Sequence, residues 1–459
     1  MPRNRKLHMG SSSRKKLKIH LICLFVLYKE SPPNRVSDNP SSSSIMSRQH
    51  HMQSYLAQVN KSILARNGHN LAWTLSIMAK GFNELPDYTN DASVERDFGE
   101  LLHNAAFLDV LVAHYRVAVA CRTGNVIEAC DLQSNFAQRV LRYIIGWDIW
   151  TLPVLYTACH DIYILASAAD KLLLSRSERA DKLEEAARTI NRAFTICITD
   201  RAPIESSRKW GTYKIIGFLF KTYFKLNKLA LSKNVVRAVR ASIDMPLLTS
   251  FPRGQIVTFR YYVGIMHFLA ENYEEARQEL QSAFTLCHYA SRKNQEKVFS
   301  KPTTNARLIL TYLIPSVILA SNRLLQHQCL KTYPRLLNLY GPLIAALQRG
   351  DLMQYDRALQ KREVEMVGRK LFLAFERARL LVVRSLFRRT FLLMLKSTRI
   401  QISTFQRALQ FTGSEVEIEE VECMVANTIY NGYMKGYISR EKATVVLSKD
   451  NPFPSLPIT

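Results

Sequence analysis

The sequence predicts a mainly α fold, in which a long stack of helices is followed by a small C-terminal module that contains strands. In residues 54–360, apolar residues recur at spacings of three and four, for example at Leu108, Leu111 and Val112. Alternating runs typical of strands are absent from that stretch. After Gly350 the pattern changes, and short helices and strand-like runs follow one another. These observations indicate a helical solenoid that ends in a separate module.

Composition fits a large helical body with an acidic or polyanionic partner. The 459 residues are 47% hydrophobic, which is enough for a long series of packed helical layers. The formal net charge of +25 favours polyanions or strongly acidic proteins as partners. Eight scattered cysteines include no C-x-x-C pair, which argues against a disulfide framework or a zinc site. A reducing compartment fits this cysteine usage.

The N-terminal segment differs from the rest of the chain. Residues 1–50 contain ten Lys/Arg and two acidic residues. Their apolar run, Leu21–Tyr28, is too short to span a bilayer, and no small-residue cleavage site follows it. We interpret residues 1–50 as a disordered basic extension, with a wrongly assigned start as the alternative. No later segment is apolar enough to be transmembrane, and no membrane insertion is predicted.

One segment has the spacing of a helix–turn–helix repeat. Small and apolar residues stand where a tetratricopeptide-like pair of helices needs close packing, at Gly264, Ala276, Leu280 and Ala283. Similar turns occur at Gly124-Asn125 and Gly350-Asp351, without a fixed period. Residues 51–360 are therefore predicted to form a solenoid of degenerate helical repeats.

The C-terminal part, residues 361–459, is predicted to contain the end of the solenoid and a winged helix. Two long helices are expected first, over 353–377 and 379–396. The elements then expected are a strand at Arg399–Ile402, a helix at Thr404–Gln410, a helix from Glu415 to about Met434 that is opened by a Ser414/Glu417 capping box, and a hairpin of Gly436–Ser439 and Ala443–Ser448. Helix, strand, helix, helix and hairpin is the order of a winged helix.

Several motifs in this sequence resemble a known family. Val421–Asn427 and Ile429–Ser439 look like the end of a PCI domain, the module shared by proteasome lid, signalosome and eIF-three subunits. The ending Leu447–Pro454, together with Ser207–Gly211 and Leu219–Leu229, is similar to one branch of that family. This branch contains the PCI-domain subunit of the TREX-two mRNA-export complex and the signalosome-associated subunit twelve. The resemblance covers roughly residues 54–455.

The resemblance implies a non-enzymatic adaptor that couples transcription to messenger RNA export. It implies a large export scaffold subunit, a small acidic peptide subunit and messenger RNA as partners. It also implies a location in the nucleus, at the nuclear envelope and pore, with some protein in the cytoplasm. The Trp210 and Lys225–Leu229 stretches favour the export branch. The alternative is a scaffold subunit of a signalosome-like complex that regulates cullin deneddylation.

Two basic stretches are candidate nucleic-acid surfaces. Residues 206–240 hold nine Lys/Arg and no acid, with aromatic residues interleaved, as single-strand binding surfaces do. The alternative for this stretch is that the rings are core and the lysines a solvated face. Residues 361–399 hold eleven Lys/Arg and three Glu, and here the alternative is an acidic partner peptide. The predicted nucleic-acid-binding residues are Arg384, Arg388, Arg389, Lys396, Arg399, Lys435, Arg440, Lys442, Lys221, Lys225 and Lys228. Arg384 and Arg388 are four apart, which places them on one helix face.

The third helix of the winged helix is unsuited to reading a major groove. Its first turns are crowded with acidic residues, which suit the helix dipole but repel phosphates. Its apolar stripe of Val421, Val425 and Ile429 is predicted to pack inward. We therefore expect backbone-dominated binding with weak sequence specificity through other faces.

The sequence holds no recognisable catalytic motif. It has no P-loop, no H-E-x-x-H and no G-x-S-x-G. Cys159-His160 and Cys287-His288 are adjacent pairs, and adjacent positions on a helix do not face each other. We interpret these pairs as packing residues, and we predict no catalytic residue, no cofactor and no metal site.

Overall fold

The computed structural model describes residues 42–79, 91–102, 104–242, 244–289, 303–321 and 330–454. The chain divides into two compact units after Phe251. Residues 1–41, and the disorder predicted for them, lie outside the described residues. The first helix begins at Ser42, so residues 42–50 are helical and are not part of a disordered extension.

The first unit is a stack of helices. Its helices are α1 (Ser42–Leu64), α2 (Gly68–Thr74), α3 (Asp91–Leu101), α4 (Leu108–Arg122), α5 (Val126–Tyr143), α6 (Leu152–Ser175), α7 (Lys182–Ile198), α8 (Thr212–Lys225) and α9 (Leu229–Ala241). From α4 to α9, each helix packs against the next one in the chain, and α8 also packs against α6. This order agrees with the predicted solenoid of helical pairs.

The turn at Gly124-Asn125 shows how the sequence separates two helices. Gly124 has a left-handed backbone (φ 77°), which ends α4. The Asn125 side chain then accepts a hydrogen bond from the Glu128 backbone N–H at 3.3 Å. Asn125 Nδ2 donates to the Glu128 carboxylate at 2.8 Å, so the first turn of α5 is capped from both sides. The turn predicted here is confirmed.

One helical stretch, Ile149–Ser175, is long and apolar enough to cross a membrane by composition. The expectation that no later segment is this apolar is therefore wrong. The stretch contains α6, which packs against α5, α7 and α8, and 56% of its apolar window is buried. Burial inside the first unit accounts for this composition without a bilayer.

The second unit begins with further helices. They are α10 (Arg253–Leu269), α11 (Tyr273–Tyr289), α12 (Thr304–Ser321), α13 (Pro334–Arg349), α14 (Leu352–Lys361), α15 (Glu363–Gly368) and α16 (Phe372–Leu393). The helices α10 and α11 form the predicted repeat-like pair, in which Ala276, Leu280 and Ala283 are fully buried. A Cβ on Gly264 would lie 2.6 Å from Leu280 Cγ, so only glycine permits this approach.

A winged helix completes the second unit, as predicted. It consists of β1 (Arg399–Gln401), α17 (Ile402–Phe411), α18 (Ile418–Tyr430), β2 (Gly436–Ser439) and β3 (Thr444–Leu447). The antiparallel sheet has the order β1-β3-β2. Val445 of β3 pairs with Ile400 of β1 on one side and with Ile438 of β2 on the other.

The hydrophobic core of the second unit is continuous. One cluster of buried residues extends from Phe268 in α10 to Phe453 near the C-terminus. Within it, the rings of Phe387 in α16 and Phe405 in α17 lie 4.7 Å apart. The later solenoid helices thus share their core with the winged helix. The boundary between the compact units lies after residue 251, whereas the sequence predicts the end of the solenoid at residue 360.

Two predicted helix boundaries are wrong. The helix expected over 353–377 is broken, because Lys370 adopts a left-handed backbone (φ 59°) that ends α15. The Leu371 N–H then bonds to the Met366 carbonyl at 2.8 Å, as in a Schellman cap. The prediction that Ser414 and Glu417 form a capping box is also wrong. Ser414 N–H bonds back to the Leu409 carbonyl at 3.1 Å and so belongs to the end of α17.

Candidate nucleic-acid and partner interfaces

Arg384 lies inside the second unit and not on its surface. It is only 6% exposed, and its Nη2 donates a hydrogen bond to the Pro454 carbonyl oxygen at 2.7 Å. Burial lowers the pKa of this guanidinium, and the nearby charge of Arg388 lowers it further. The prediction that Arg384 and Arg388 form one exposed patch is therefore wrong, because the C-terminal tail covers Arg384.

The tail that covers Arg384 is held at several points. The Phe453 ring is buried, with its centre 5.6 Å from that of Phe391. Lys435 N–H donates to the Pro452 carbonyl at 2.8 Å, and Ser448 N–H donates to the Lys435 carbonyl at 2.9 Å. The motif Leu447–Pro454 thus fastens the end of the chain to the winged helix. This role was not predicted from the sequence, because a short run with two prolines shows neither the helical nor the strand-like spacing of apolar residues.

The other cations predicted for the second unit lie at its surface. Arg440 Nε is 3.5 Å from the Glu422 carboxylate. The remaining six are exposed, and none has an ion-pair partner among the residues that the structure describes. These are Arg388, Arg389, Lys396, Arg399, Lys435 and Lys442. Exposed, unpaired cations are available to bind phosphate groups, and their role in nucleic-acid binding stays a prediction.

Four consecutive apolar residues are exposed where α16 ends. We call Leu392, Leu393, Met394 and Leu395 the apolar corner. Leu393 is 82% exposed and Leu395 is 92% exposed. Leu395 and Lys396 have left-handed backbones (φ 55° and 60°), which residues with side chains rarely adopt. Exposed apolar clusters at strained positions mark interaction surfaces. This corner was not predictable from the sequence, because the apolar helical pattern continues to Lys396.

The third helix of the winged helix, α18, packs as predicted. Val421 and Val425 are fully buried, whereas Glu419 and Glu420 are exposed in the first turn. Carboxylates at a helix N-terminus stabilise the helix dipole but repel phosphate groups. This end of α18 is therefore a poor candidate for contact with DNA or RNA.

The nine cations of residues 206–240 fall into groups with different surroundings. Three of them are paired with carboxylates. The pairs are Arg208 with Asp200 at 2.7 Å, Lys209 with Asp244 at 3.9 Å and Lys228 with Glu184 at 2.8 Å. Lys228 is thus neutralised within the first unit, which weakens its case as a nucleic-acid contact.

Three other lysines share one face of α8. We call Lys214, Lys221 and Lys225 the lysine ridge. Lys221 Nζ lies 4.4 Å from the centre of the Tyr163 ring, and Lys225 Nζ lies 5.6 Å from the same ring. Lys214 Nζ lies 5.4 Å from the Phe218 ring centre. Ring faces attract ammonium groups electrostatically, so they hold these three charges in place.

The aromatic residues of this stretch belong mostly to the core. Tyr213, Phe220 and Tyr223 are buried. Trp210 Nε1 donates a hydrogen bond to the Ile204 carbonyl at 2.7 Å, and its ring packs 5.2 Å from that of Phe251. The alternative in which the rings are core is confirmed for these residues.

Comparison with known proteins agrees with the winged helix. The family model described as PCI domain matches residues 357–449. Protein CSN12 homolog of Schizosaccharomyces pombe is 37% identical over 422 residues, which cover 88% of this chain and 96% of that protein. The chain belongs to this PCI-domain family. PCI domain-containing protein 2 of Xenopus laevis is 32% identical over 412 residues, covering 88% of this chain and 97% of that protein.

Membership of the PCI-domain family has a general consequence for function. PCI domains belong to scaffold subunits of protein complexes, so this chain is a scaffold-type subunit whose surfaces serve assembly. The matched PCI domain begins at residue 357 in α14 and covers α15, α16 and the winged helix. It therefore includes both the apolar corner and the cations beside it.

The cysteine–histidine pair in α6 does not form a reactive site. Cys159 is buried, and burial raises the pKa of its thiol, which disfavours the reactive thiolate. His160 is hydrogen-bonded to a different residue, since its Nδ1 lies 2.9 Å from the Asp161 carboxylate. Asp161 also accepts hydrogen bonds from Ser76 Oγ at 3.2 Å and from Ile77 N–H at 3.0 Å. Within the described ranges, no group of three His, Cys, Asp or Glu residues is placed to hold a metal ion.

Proposed function

We propose that this chain is a non-enzymatic adaptor subunit of a TREX-two-like assembly at the nuclear pore, which couples transcription to messenger RNA export. Its PCI domain docks on a large scaffold subunit, a small acidic peptide subunit joins the assembly, and RNA lies on exposed cations. The stretches around Trp210 and Lys225–Leu229 support the export branch of the family. This role places the protein mainly in the nucleus.

The observation that carries this proposal is the apolar corner and the basic residues beside it. Exposed leucines lose contact with water when a protein partner covers them, at about 25 cal/mol per Å² of apolar surface. Arg388, Arg389, Lys396 and Arg399 lie next to the corner in sequence and have no ion pair in the described part of the chain. One end of α16 therefore offers apolar contacts for a protein and free charges for phosphates.

RNA binding tests the basic residues directly. We expect Arg388→Glu with Arg389→Glu to lower affinity for single-stranded RNA and to reduce the salt slope by more than 1. About 0.7 of a unit is lost for each phosphate contact to a single strand. Fluorescence anisotropy over 50–200 mM salt, with and without the scaffold partner, measures both quantities.

A matched control lies on α14 of the same unit. Arg357 and Lys361 are exposed, four apart and without an ion pair among the described residues. Arg357→Glu with Lys361→Glu makes the same change of charge away from the apolar corner. An equal slope change in both double variants contradicts a localised site and indicates a response to net charge alone.

The second candidate is the scaffold subunit of a signalosome-like complex that regulates cullin deneddylation. Several relatives bear the name protein CSN12 homolog, which favours this candidate. Affinity purification followed by mass spectrometry separates the two candidates. Recovery of cullin-regulating subunits without an export scaffold overturns the export proposal, whereas recovery of an export scaffold at the nuclear rim supports it.

A further inference from the structure

The lysine ridge is a row of charges on one helix face of the first unit. Lys214, Lys221 and Lys225 are separated by seven and four residues along α8. At a rise of 1.5 Å per residue, the row is about 16 Å long. Phe218 lies within the same face, and Tyr163 approaches it from α6.

The carboxylates of Asp170 and Glu184 form hydrogen bonds or ion pairs with groups outside the lysine ridge. Asp170 accepts hydrogen bonds from the backbone N–H groups of Lys182 at 2.9 Å and Leu183 at 3.1 Å, and so caps the start of α7. Glu184 forms an ion pair with Lys228 at 2.8 Å. Across the described part of the first unit, no carboxylate forms an ion pair with any of the three ridge lysines.

The surroundings of Lys221 and Lys225 disfavour their charged forms. Burial lowers the pKa of Lys221. Burial, followed by the charge of Lys171, lowers the pKa of Lys225, whereas the charge of Asp170 raises it and that of Lys221 lowers it by a smaller amount. Desolvation is therefore the main penalty on both ammonium groups, and an anion beside them offsets it.

The ring faces under the ridge are already occupied. Tyr163 carries two ammonium groups, from Lys221 and Lys225, and Phe218 carries one, from Lys214. His160 also packs against Phe218, with ring centres 5.9 Å apart. A base that stacks on either ring has to displace a lysine. The ridge therefore offers charges to a ligand and no open platform for stacking.

We propose that the lysine ridge binds the phosphate backbone of single-stranded RNA without reading its bases. A single row of three ammonium groups matches one strand, whereas a duplex presents two. The inference rests on the proposed function in one respect only, namely that RNA is a ligand of this protein. The ridge lies in the first unit and the PCI-domain cations in the second, so each site is tested separately.

The experiment uses the full chain with oligo-uridine and oligo-adenine 20-mers over 50–200 mM salt. We expect Lys214→Gln, Lys221→Gln and Lys225→Gln together to reduce the salt slope by about 2, since three contacts each contribute about 0.7. The loss is expected to be equal for both oligonucleotides. A preference of more than tenfold for either base in the wild type overturns the inference, because it requires stacking or base readout.

A matched triple variant controls for net charge. Lys233→Gln, Arg237→Gln and Arg240→Gln remove the same charge from α9, where the three side chains are exposed and lie over no ring in the described residues. We expect this control to change the slope by less than 1. Equal changes in both triple variants overturn the ridge as a site.

The ring under the lysines gives a second, independent test. Tyr163→Phe keeps the ring face and is expected to bind like the wild type. Tyr163→Leu keeps all three charges but removes the ring under Lys221 and Lys225, and is expected to weaken binding at least threefold. If Tyr163→Leu binds as tightly as Tyr163→Phe, with both variants folded by circular dichroism, the ring-supported geometry is wrong.

Combination with the PCI-domain variant separates this inference from the proposed function. If the ridge effect persists in the Arg388→Glu/Arg389→Glu background, the ridge is a site of its own. If Arg388→Glu/Arg389→Glu leaves binding intact while the ridge variant loses it, the PCI-domain site fails and the ridge stands. If only Arg388→Glu/Arg389→Glu reduces binding, the ridge fails. Should the triple variant unfold, Lys221→Gln alone carries the test, with an expected slope change of about 0.7.

Discussion

At the scale of single residues, Arg384 shows how a charged side chain becomes part of a core. Its aliphatic stem lies in α16 among buried neighbours, and its guanidinium reaches the Pro454 carbonyl. A buried charge is tolerated only where hydrogen bonds replace lost water. Arg384 therefore joins the end of the chain to the helix on which the winged helix packs.

We expect Arg384→Met to destabilise the second unit by about 2 kcal/mol, the usual range for a lost hydrogen bond to a charged group. Methionine preserves most of the packing of the stem, so the loss reports mainly on the bond to Pro454. Urea unfolding followed by circular dichroism measures it. Arg388→Met is the control, because Arg388 is exposed one turn later on the same helix. Equal stabilities of the two variants contradict the role of Arg384.

The sequence could place Arg384 on a helix but could not place it inside. A spacing of four residues correctly puts Arg384 and Arg388 on neighbouring turns. Burial of Arg384 depends on a tail 69 and 70 residues further along the chain, and helix periodicity contains no such long-range information. The burial of Tyr213, Phe220 and Tyr223 was easier to predict, because apolar residues at helical spacing indicate the face of a helix that packs into the core.

At the scale of elements, the pair formed by α10 and α11 depends on one glycine. Gly264 in α10 faces Leu280 in α11 with no room for a Cβ. Glu271 closes the turn between the helices in a left-handed conformation (φ 66°). Close approach of this pair was predictable, since small residues at fixed spacing are what such packing requires.

We expect Gly264→Ala to destabilise the second unit by about 1–3 kcal/mol, because the added methyl forces Leu280 out of place. Gly254→Ala in the same helix is the control, since a Cβ there meets nothing within 4 Å. The control is expected to be neutral or slightly stabilising, because alanine favours a helix over glycine. Thermal melting of both variants checks the difference. A neutral Gly264→Ala rejects tight packing at this position.

Helix ends were harder to predict than helix existence. The break at Lys370 depends on a left-handed backbone in a residue that usually avoids it, so local sequence gives little warning. The apolar corner has the same origin, because Leu395 and Lys396 leave the helix at positions that the apolar pattern would continue. The exposure of these apolar residues was thus missed for a local conformational reason.

At the scale of the whole molecule, the division after Phe251 changes how the PCI domain is understood. The core of the second unit includes Tyr340 in α13 and Tyr355 in α14, both fully buried. Tyr340 Oη donates to the Thr311 carbonyl at 2.6 Å, and Tyr355 Oη donates to the Phe375 carbonyl at 2.7 Å. The winged helix is therefore the last layer of a larger body and not a separate domain attached to a solenoid.

We expect residues 252–459 to fold on their own with one cooperative urea transition, because their core cluster is contained within the unit. The shorter piece 361–459, cut at the boundary that periodicity predicts, lacks α13 and α14. It leaves buried side chains of α16 such as Phe375 without their partners, since the Phe375 and Tyr340 rings lie 5.4 Å apart in the intact unit. That piece is expected to lose near-ultraviolet circular dichroism and to unfold without a sharp transition. Equal cooperativity in both fragments contradicts the shared core and restores the boundary at residue 360.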